Sequence, residues 1–254
     1  MVPSLFLAHG SPMLALEQDA YTTFLAHLGR SFQPKAIVIF TAHWESDTVT
    51  ISSTDDVHDT IYDFYGFPDE LYAINYPAKG STQIAEKVKK RFQENGIPVQ
   101  MNATRGLDHG SWTILSRLYP HAEIPVVQVS VNPSLSPREQ LHIGQSLQGF
   151  GEEDILVIGS GVTVHNLGRL HWEQNTPESW AVEFDDWIIK QIEHGDIDTL
   201  FNYESLAPHA NLAVPTKEHF VPLFITMGSG TQNKTKVIHR SYKYGTLSYL
   251  CFQF

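Results

Sequence analysis

The chain is 254 residues long, 42% hydrophobic and 18% charged, with a formal net charge of -11. Those values describe one compact globular unit, residues 1–254, and exclude a disordered or fibrous protein. The acidic balance and the absence of any Lys/Arg run exclude a protein that tracks a phosphate backbone, so no nucleic-acid partner is expected.

In chain order, the first element is a short apolar strand at residues 4–8, which runs into His9-Gly10-Ser11-Pro12. This opening is too short and too uncharged for a signal peptide. No apolar stretch in the chain approaches the roughly 18 residues that span a bilayer, so a cytoplasmic protein without a membrane partner is expected. A second strand at residues 36–41 leads to Ala42-His43-Trp44. Residues 47–77 form a long irregular excursion carrying Tyr62-Asp63-Phe64-Tyr65-Gly66-Phe67, and long loops of this kind often serve function.

The spacing of Ile84, Val88 and Phe92 predicts a helix over residues 81–95, closed by the turn signal Asn95-Gly96. A strand follows at 99–102, then the turn Asp108-His109-Gly110-Ser111-Trp112 with a helix start at Ser111. Further strands are expected at 125–131 and 155–159, the latter leading through Gly159-Ser160-Gly161 to His165-Asn166. Helices are expected at 137–149 and 179–194. In Pro215-Thr216-Lys217-Glu218-His219, Thr216 is a candidate N-cap that places His219 in a first helical turn, where the helix dipole disfavours an imidazolium. Strands at 237–239 and 247–252 end the chain. The only cysteine, Cys251, reads as a small buried apolar residue in a reducing compartment.

This alternation predicts an α/β layer fold. Parallel strands bring their C-terminal ends to one edge, where ligands bind. His9, His43 and His165 each follow such a strand, and His219 follows later. Neutral imidazoles suit Zn, Fe, Cu or Ni, and three protein ligands with open positions describe a catalytic site. His109 is a candidate for proton transfer or for a hydrogen bond to a phenolic oxygen; its simplest alternative is a loop histidine paired with Asp108.

Taken together, these five histidine segments resemble the class III extradiol ring-cleavage dioxygenases, in particular the DOPA 4,5-dioxygenase (LigB-like) branch. The likeness covers nearly the whole chain. It implies a single-domain layered α/β/α fold with a mostly parallel central sheet and a metal site at the C-terminal strand edge. Metal ligands would be His9, His43 and His219, with His165 as a fourth ligand or as the acid/base group. His109 would be a substrate-side histidine with a catalytic part, and Ser11 and Trp112 would contact substrate. The resemblance implies one divalent ion, Fe(II) for activity or Zn(II), and a small aromatic diol and O2 as reactants. One departure is Val214, where several members of the branch carry His; whatever substrate contact that residue makes is missing here.

The aromatic excursion, with Trp44 and Trp112, would wall the pocket, or simply pack in the core. Rival readings of the same residues are a zinc-dependent hydrolase or amidase, a tetrapyrrole chelatase suggested by the strand followed by His9-Gly10-Ser11, and a non-enzymatic metal-binding relative.

Overall fold

A computed structural model describes residues 1–174, 176–230 and 235–254. Among these described residues ten strands form: β1 (Ser4–Ala8), β2 (Ala36–Glu45), β3 (Val49–Ser52), β4 (Val99–Asn102), β5 (Val126–Val131), β6 (Ile155–Gly161), β7 (Lys236–His239), β8 (Tyr242–Lys243), β9 (Leu247–Ser248) and β10 (Cys251–Gln253). The main sheet has the order β4-β3-β5-β2-β6-β1-β10-β7, and β8 and β9 form a separate small ladder. Its centre, β5-β2-β6-β1, is parallel throughout, while β10 and β7 close one edge antiparallel.

Helices α1 (Ala20–Ser31), α2 (Asp69–Tyr72), α3 (Thr82–Glu94), α4 (His109–Leu118), α5 (Pro137–Gln145), α6 (Ser179–His194), α7 (Ile197–Phe201), α8 (Tyr203–Leu206), α9 (Ala210–Ala213) and α10 (Val221–Ser229) complete the chain. The period-2 geometry of a strand sorts its side chains to opposite faces. Ile37 and Ile39 of β2 and Leu156 and Ile158 of β6 therefore pack with Leu25 of α1 and Leu115 of α4. Val38 and Phe40, with Ile155 and Val157, pack on the other face with Val88 of α3 and Ile225 of α10. Burying each such side chain contributes about 1.5–3 kcal/mol, so both faces of the central strands are covered, as their unbroken apolar runs require. Among the described residues no helix is long and apolar enough to cross a membrane.

The helix expected at 81–95 forms at Thr82–Glu94, with the Ser81 hydroxyl accepting from the Ile84 amide. Gly96 takes the positive φ that its turn needs. Some boundaries differ from expectation. β2 continues to Glu45, so His43 lies within the strand rather than beyond it. The excursion at 47–77 contains β3, which pairs with β4 and β5. The helix expected to 149 stops at Gln145. The run at 247–252 divides into β9 and β10. Thr216 caps no helix: its hydroxyl bonds Glu218, and α10 begins at Val221, placing His219 in the turn before it.

Candidate metal centre and its cavity

Three elements deliver three histidines to one point at the C-terminal edge of the parallel strands. His9 follows β1, His43 lies near the end of β2, and His219 ends the turn that enters α10. That turn lies directly on β6: the Val162 amide donates to the His219 carbonyl at 2.8 Å. The close approach requires Gly161, because a Cβ there would stand 2.2 Å from the same carbonyl oxygen. Gly10 turns the chain behind His9 with φ +58, a conformation that favours glycine.

The hydrogen bonds around the rings decide where their lone pairs point. The single Ser160 hydroxyl hydrogen is donated to the Gly110 carbonyl, so this oxygen accepts from His9 Nδ1–H at 2.9 Å. His43 Nδ1 lies 3.3 Å from the Asp63 carboxylate and His219 Nδ1 lies 3.0 Å from Glu218. A carboxylate accepts only, so each ring donates from Nδ1 and keeps its lone pair on Nε2. His9 Nε2 and His43 Nε2 then face each other at 3.0 Å. Among the described residues the buried Nε2 of His219 has no hydrogen-bond partner, and the donor atoms of all three residues fall within 4.8 Å of one another.

Lone pairs that converge without a proton between them call for a cation. Two nitrogens held about 2.1 Å from a shared ion stand roughly 3 Å apart at right-angle coordination. The residues therefore fit a metal, and each ligand ring is oriented by its own partner. Burial lowers the pKa of His9, His43 and His219, and the neighbouring imidazoles push in the same direction for His9 and His43. Burial, not the helix dipole expected from the sequence, is thus the main reason that His219 stays neutral, and Glu218 opposes it. Burial pushes the Glu218 carboxyl up, but hydrogen bonds with His219 and Thr216 outweigh it and hold the group down at about 2.

His165 and His109 flank this trio. The His165 ring lies flat on His219, with centroids 3.6 Å apart. Its donor atom is not grouped with those of His9 and His43, but it lies within 4.8 Å of donor atoms of Glu218 and His219, which sets His165 at the side of the three-histidine cluster. Burial, then proximity to His219, lowers its pKa. His109 lies 3.9 Å from the His43 ring centroid and bonds Asp63 Oδ1 through both its amide and Nδ1, at 2.9 and 3.0 Å. Asp108 is therefore not its partner. That buried carboxylate instead caps α4 and takes hydrogen bonds from Thr41 and Arg105.

Asp63, which sequence reasoning passed over inside the excursion, orients two histidines at once. Burial pushes its carboxyl up, but the His109 hydrogen bonds prevail and hold it below the usual range. Ser160 and Glu218 were present in the motifs without an assigned role. Nothing local marks any of the three; only an acidic or hydroxyl residue near a histidine-bearing strand end could have suggested them.

A cavity of about 1010 Å³ opens onto His43, His109, His165 and His219. Ser11 lines it and, with its hydroxyl accepting from the Met13 amide, caps the short helical turn Pro12–Ala15. Phe64, Tyr65 and Phe67 of the excursion also line it. Trp112 does not: it is fully buried behind Phe64, and its indole nitrogen donates to the Ile61 carbonyl, so it supports the wall instead of touching a ligand. Trp44 likewise lies outside, under the Arg105 guanidinium.

Known proteins resemble the chain over nearly its whole length. Residues 3–252 match the family described as the catalytic LigB subunit of aromatic ring-opening dioxygenase. The chain is 36% identical over 255 residues to a protein of Beta vulgaris named 4,5-DOPA dioxygenase extradiol, covering 98% of this chain and 95% of that one. It is 34% identical to a protein of the same name from Escherichia coli, covering 99% and 94%. The fold superposes on the crystal structure of an uncharacterized Escherichia coli protein with a TM-score of 0.83 and 29% identity, over the full length of both. A full-length family match, relatives above 30% identity and three converging imidazoles lead to one conclusion: the chain belongs to the LigB family of extradiol aromatic ring-opening dioxygenases, enzymes that use a metal ion.

Proposed function

We propose that the chain opens the ring of a catechol with O2, using a single Fe(II) held by His9, His43 and His219, with His165 as the acid/base group and His109 on the substrate side. The observation that carries this reading is the set of three converging Nε2 lone pairs, with the His43 and His219 rings lining an aromatic-walled cavity and His9 buried behind them. When bound, a redox-active ion with open positions supplies a place where diol and dioxygen can react together. Fe(II) is preferred to Zn(II) because ring opening by O2 is a redox reaction and Zn(II) has no redox chemistry.

The protein's own groups do the rest. A neutral His165 can take the proton from a catechol hydroxyl and later return it. His109 spends Nδ1–H on Asp63, leaving Nε2 for a substrate oxygen. The wall of Phe64 and Phe67 stacks on the ring and excludes water. Catechol plus O2 balances without another reductant, since both oxygen atoms enter the product as the carbon–carbon bond beside the diol breaks. By the names of the relatives, the substrate is DOPA-like in carrying a substituent opposite one hydroxyl, and the bond cleaved is the 4,5 bond. A free, buried Cys251 suits a cytoplasmic location.

The test is anaerobic reconstitution with Fe(II), followed by catechols and O2. Oxygen uptake matched to a yellow ring-opened product supports the reading. Turnover of an ester or amide with Zn(II), without oxygen uptake from any catechol, would replace it with a hydrolase.

A further inference from the structure

We infer that the catechol this site prefers carries an uncharged apolar substituent, in contrast to the zwitterionic side chain of DOPA. The inference rests on the catechol reading for the ring end and on the outer half of the same cavity for the substituent. A bare benzenediol is one ring with two oxygens and leaves most of the 1010 Å³ empty. Beyond the histidines the walls are mainly Met13, Phe67, Leu170, Tyr244 and Leu247, with Ser11, Asn166 and Thr216 as neutral polar groups, and none of the described residues lining the cavity is Lys or Arg. The lining carboxylates, Asp63 and Glu218, are already committed to histidines. A substrate carboxylate would therefore give up water without gaining a cation in the lining, whereas an alkyl or aryl group would lose only its contact with water.

The mouth continues the pattern. Tyr65, Leu167 and Trp172 line the cavity yet are 92%, 64% and 67% exposed. Large apolar side chains left open at the rim of a binding cavity are the groups that an apolar ligand would cover. Trp172 rests against Tyr244, with ring centroids 4.8 Å apart, so the rim and the wall form one surface. Among the described residues three cations flank the lining, Arg169 between Gly168 and Leu170, Lys217 between Thr216 and Glu218, and Lys243 before Tyr244; none of their side chains is part of the lining, and Lys217 already pairs with Glu204 and Lys243 with Glu17 and Asp19.

The experiment uses the Fe(II)-loaded full chain, first under nitrogen by calorimetric titration and then by oxygen uptake, with catechol, 4-methylcatechol, 4-n-butylcatechol and L-DOPA. Affinity and kcat/KM should rise about fourfold for each methylene that the cavity buries, with L-DOPA below 4-methylcatechol. Trp172→Ala and Leu167→Ser should each narrow the gap between 4-n-butylcatechol and catechol, and Arg169→Ala should leave the L-DOPA affinity unchanged. L-DOPA matching or exceeding 4-n-butylcatechol, or losing tenfold or more in Arg169→Ala, would overturn the inference. The expected order of binding without oxygen uptake from any catechol would leave the inference standing and sink the dioxygenase reading.

Discussion

His9 Nε2 and His43 Nε2 stand 3.0 Å apart, and neither carries the hydrogen that would join them, because Ser160 and Asp63 hold both rings by Nδ1–H. A metal between them turns a repulsive contact into a favourable one. The residues behind the rings therefore matter almost as much as the ligands.

Ser160→Ala should keep the fold and weaken metal affinity by about 10–100-fold, the usual cost of losing a group that orients a ligand. Asp63→Asn should do at least as much, since it releases His43 and His109 together. Competition with a chromogenic chelator measures both; unchanged affinity in either variant would contradict the tautomer assignment.

Gly161→Ala tests the path by which β6 positions His219. Its Cβ would collide with the His219 carbonyl, which is itself tied to Val162. Overpacking of this kind costs about 1–3 kcal/mol. Thermal unfolding should show that loss, and metal content should fall with it, whereas a Gly168→Ala control, whose Cβ would meet only the Asn166 side chain at 3.4 Å, should keep its metal.

A pH dependence follows from the bridge between Lys243 and Asp19, at 2.6 Å, which ties β8 to the start of α1. Burial raises the Asp19 pKa, but the Lys243 hydrogen bond and the Thr22 amide prevail and lower it. Burial lowers the Lys243 pKa, but Asp19 and Glu17 prevail and raise it. The Asp19 contribution is therefore complete above its unfolded value of 3.8 and is lost as pH falls through the lower folded value. The Lys243 contribution is complete below 10.5 and is lost as pH rises through the higher one. Lys243→Met should cost about 1–2 kcal/mol at neutral pH and flatten both limbs of a denaturant-stability profile against pH. An unchanged profile would show that the bridge contributes nothing.

Cys251 should be inert in the native protein. Burial pushes its thiol up to about 12, and the thiolate is the reactive form. Labelling by a thiol reagent at neutral pH should follow global unfolding; rapid labelling of folded protein would contradict the burial.

The strand ends were legible because a buried parallel strand must be a short apolar run, and a histidine directly after one, as at His9, is visible in the sequence. The helix at 179–194 was legible for a similar reason: its apolar period is long and unbroken. His219 was recognised for the wrong local reason. What places it is the β6 glycine that admits its carbonyl, a contact across 58 positions that no local pattern records. Asp63 was hidden in the same way, since its partners lie 20 and 46 positions away. Trp112 looked like a ligand contact because it shares a short segment with His109, but its indole N–H is held by the Ile61 carbonyl and its ring is fully buried in the core cluster behind the cavity wall.

The central claim is that His9, His43 and His219 hold the ion while His165 acts on the substrate beside it. The direct measurement is metal content and oxygen uptake, made together on His9→Ala and His165→Ala after Fe(II) loading. His9→Ala should lose both the ion and turnover. His165→Ala should retain the ion and lose turnover by roughly 100-fold or more. Loss of the ion from His165→Ala to the same extent as from His9→Ala, or full activity in either variant, would contradict the account.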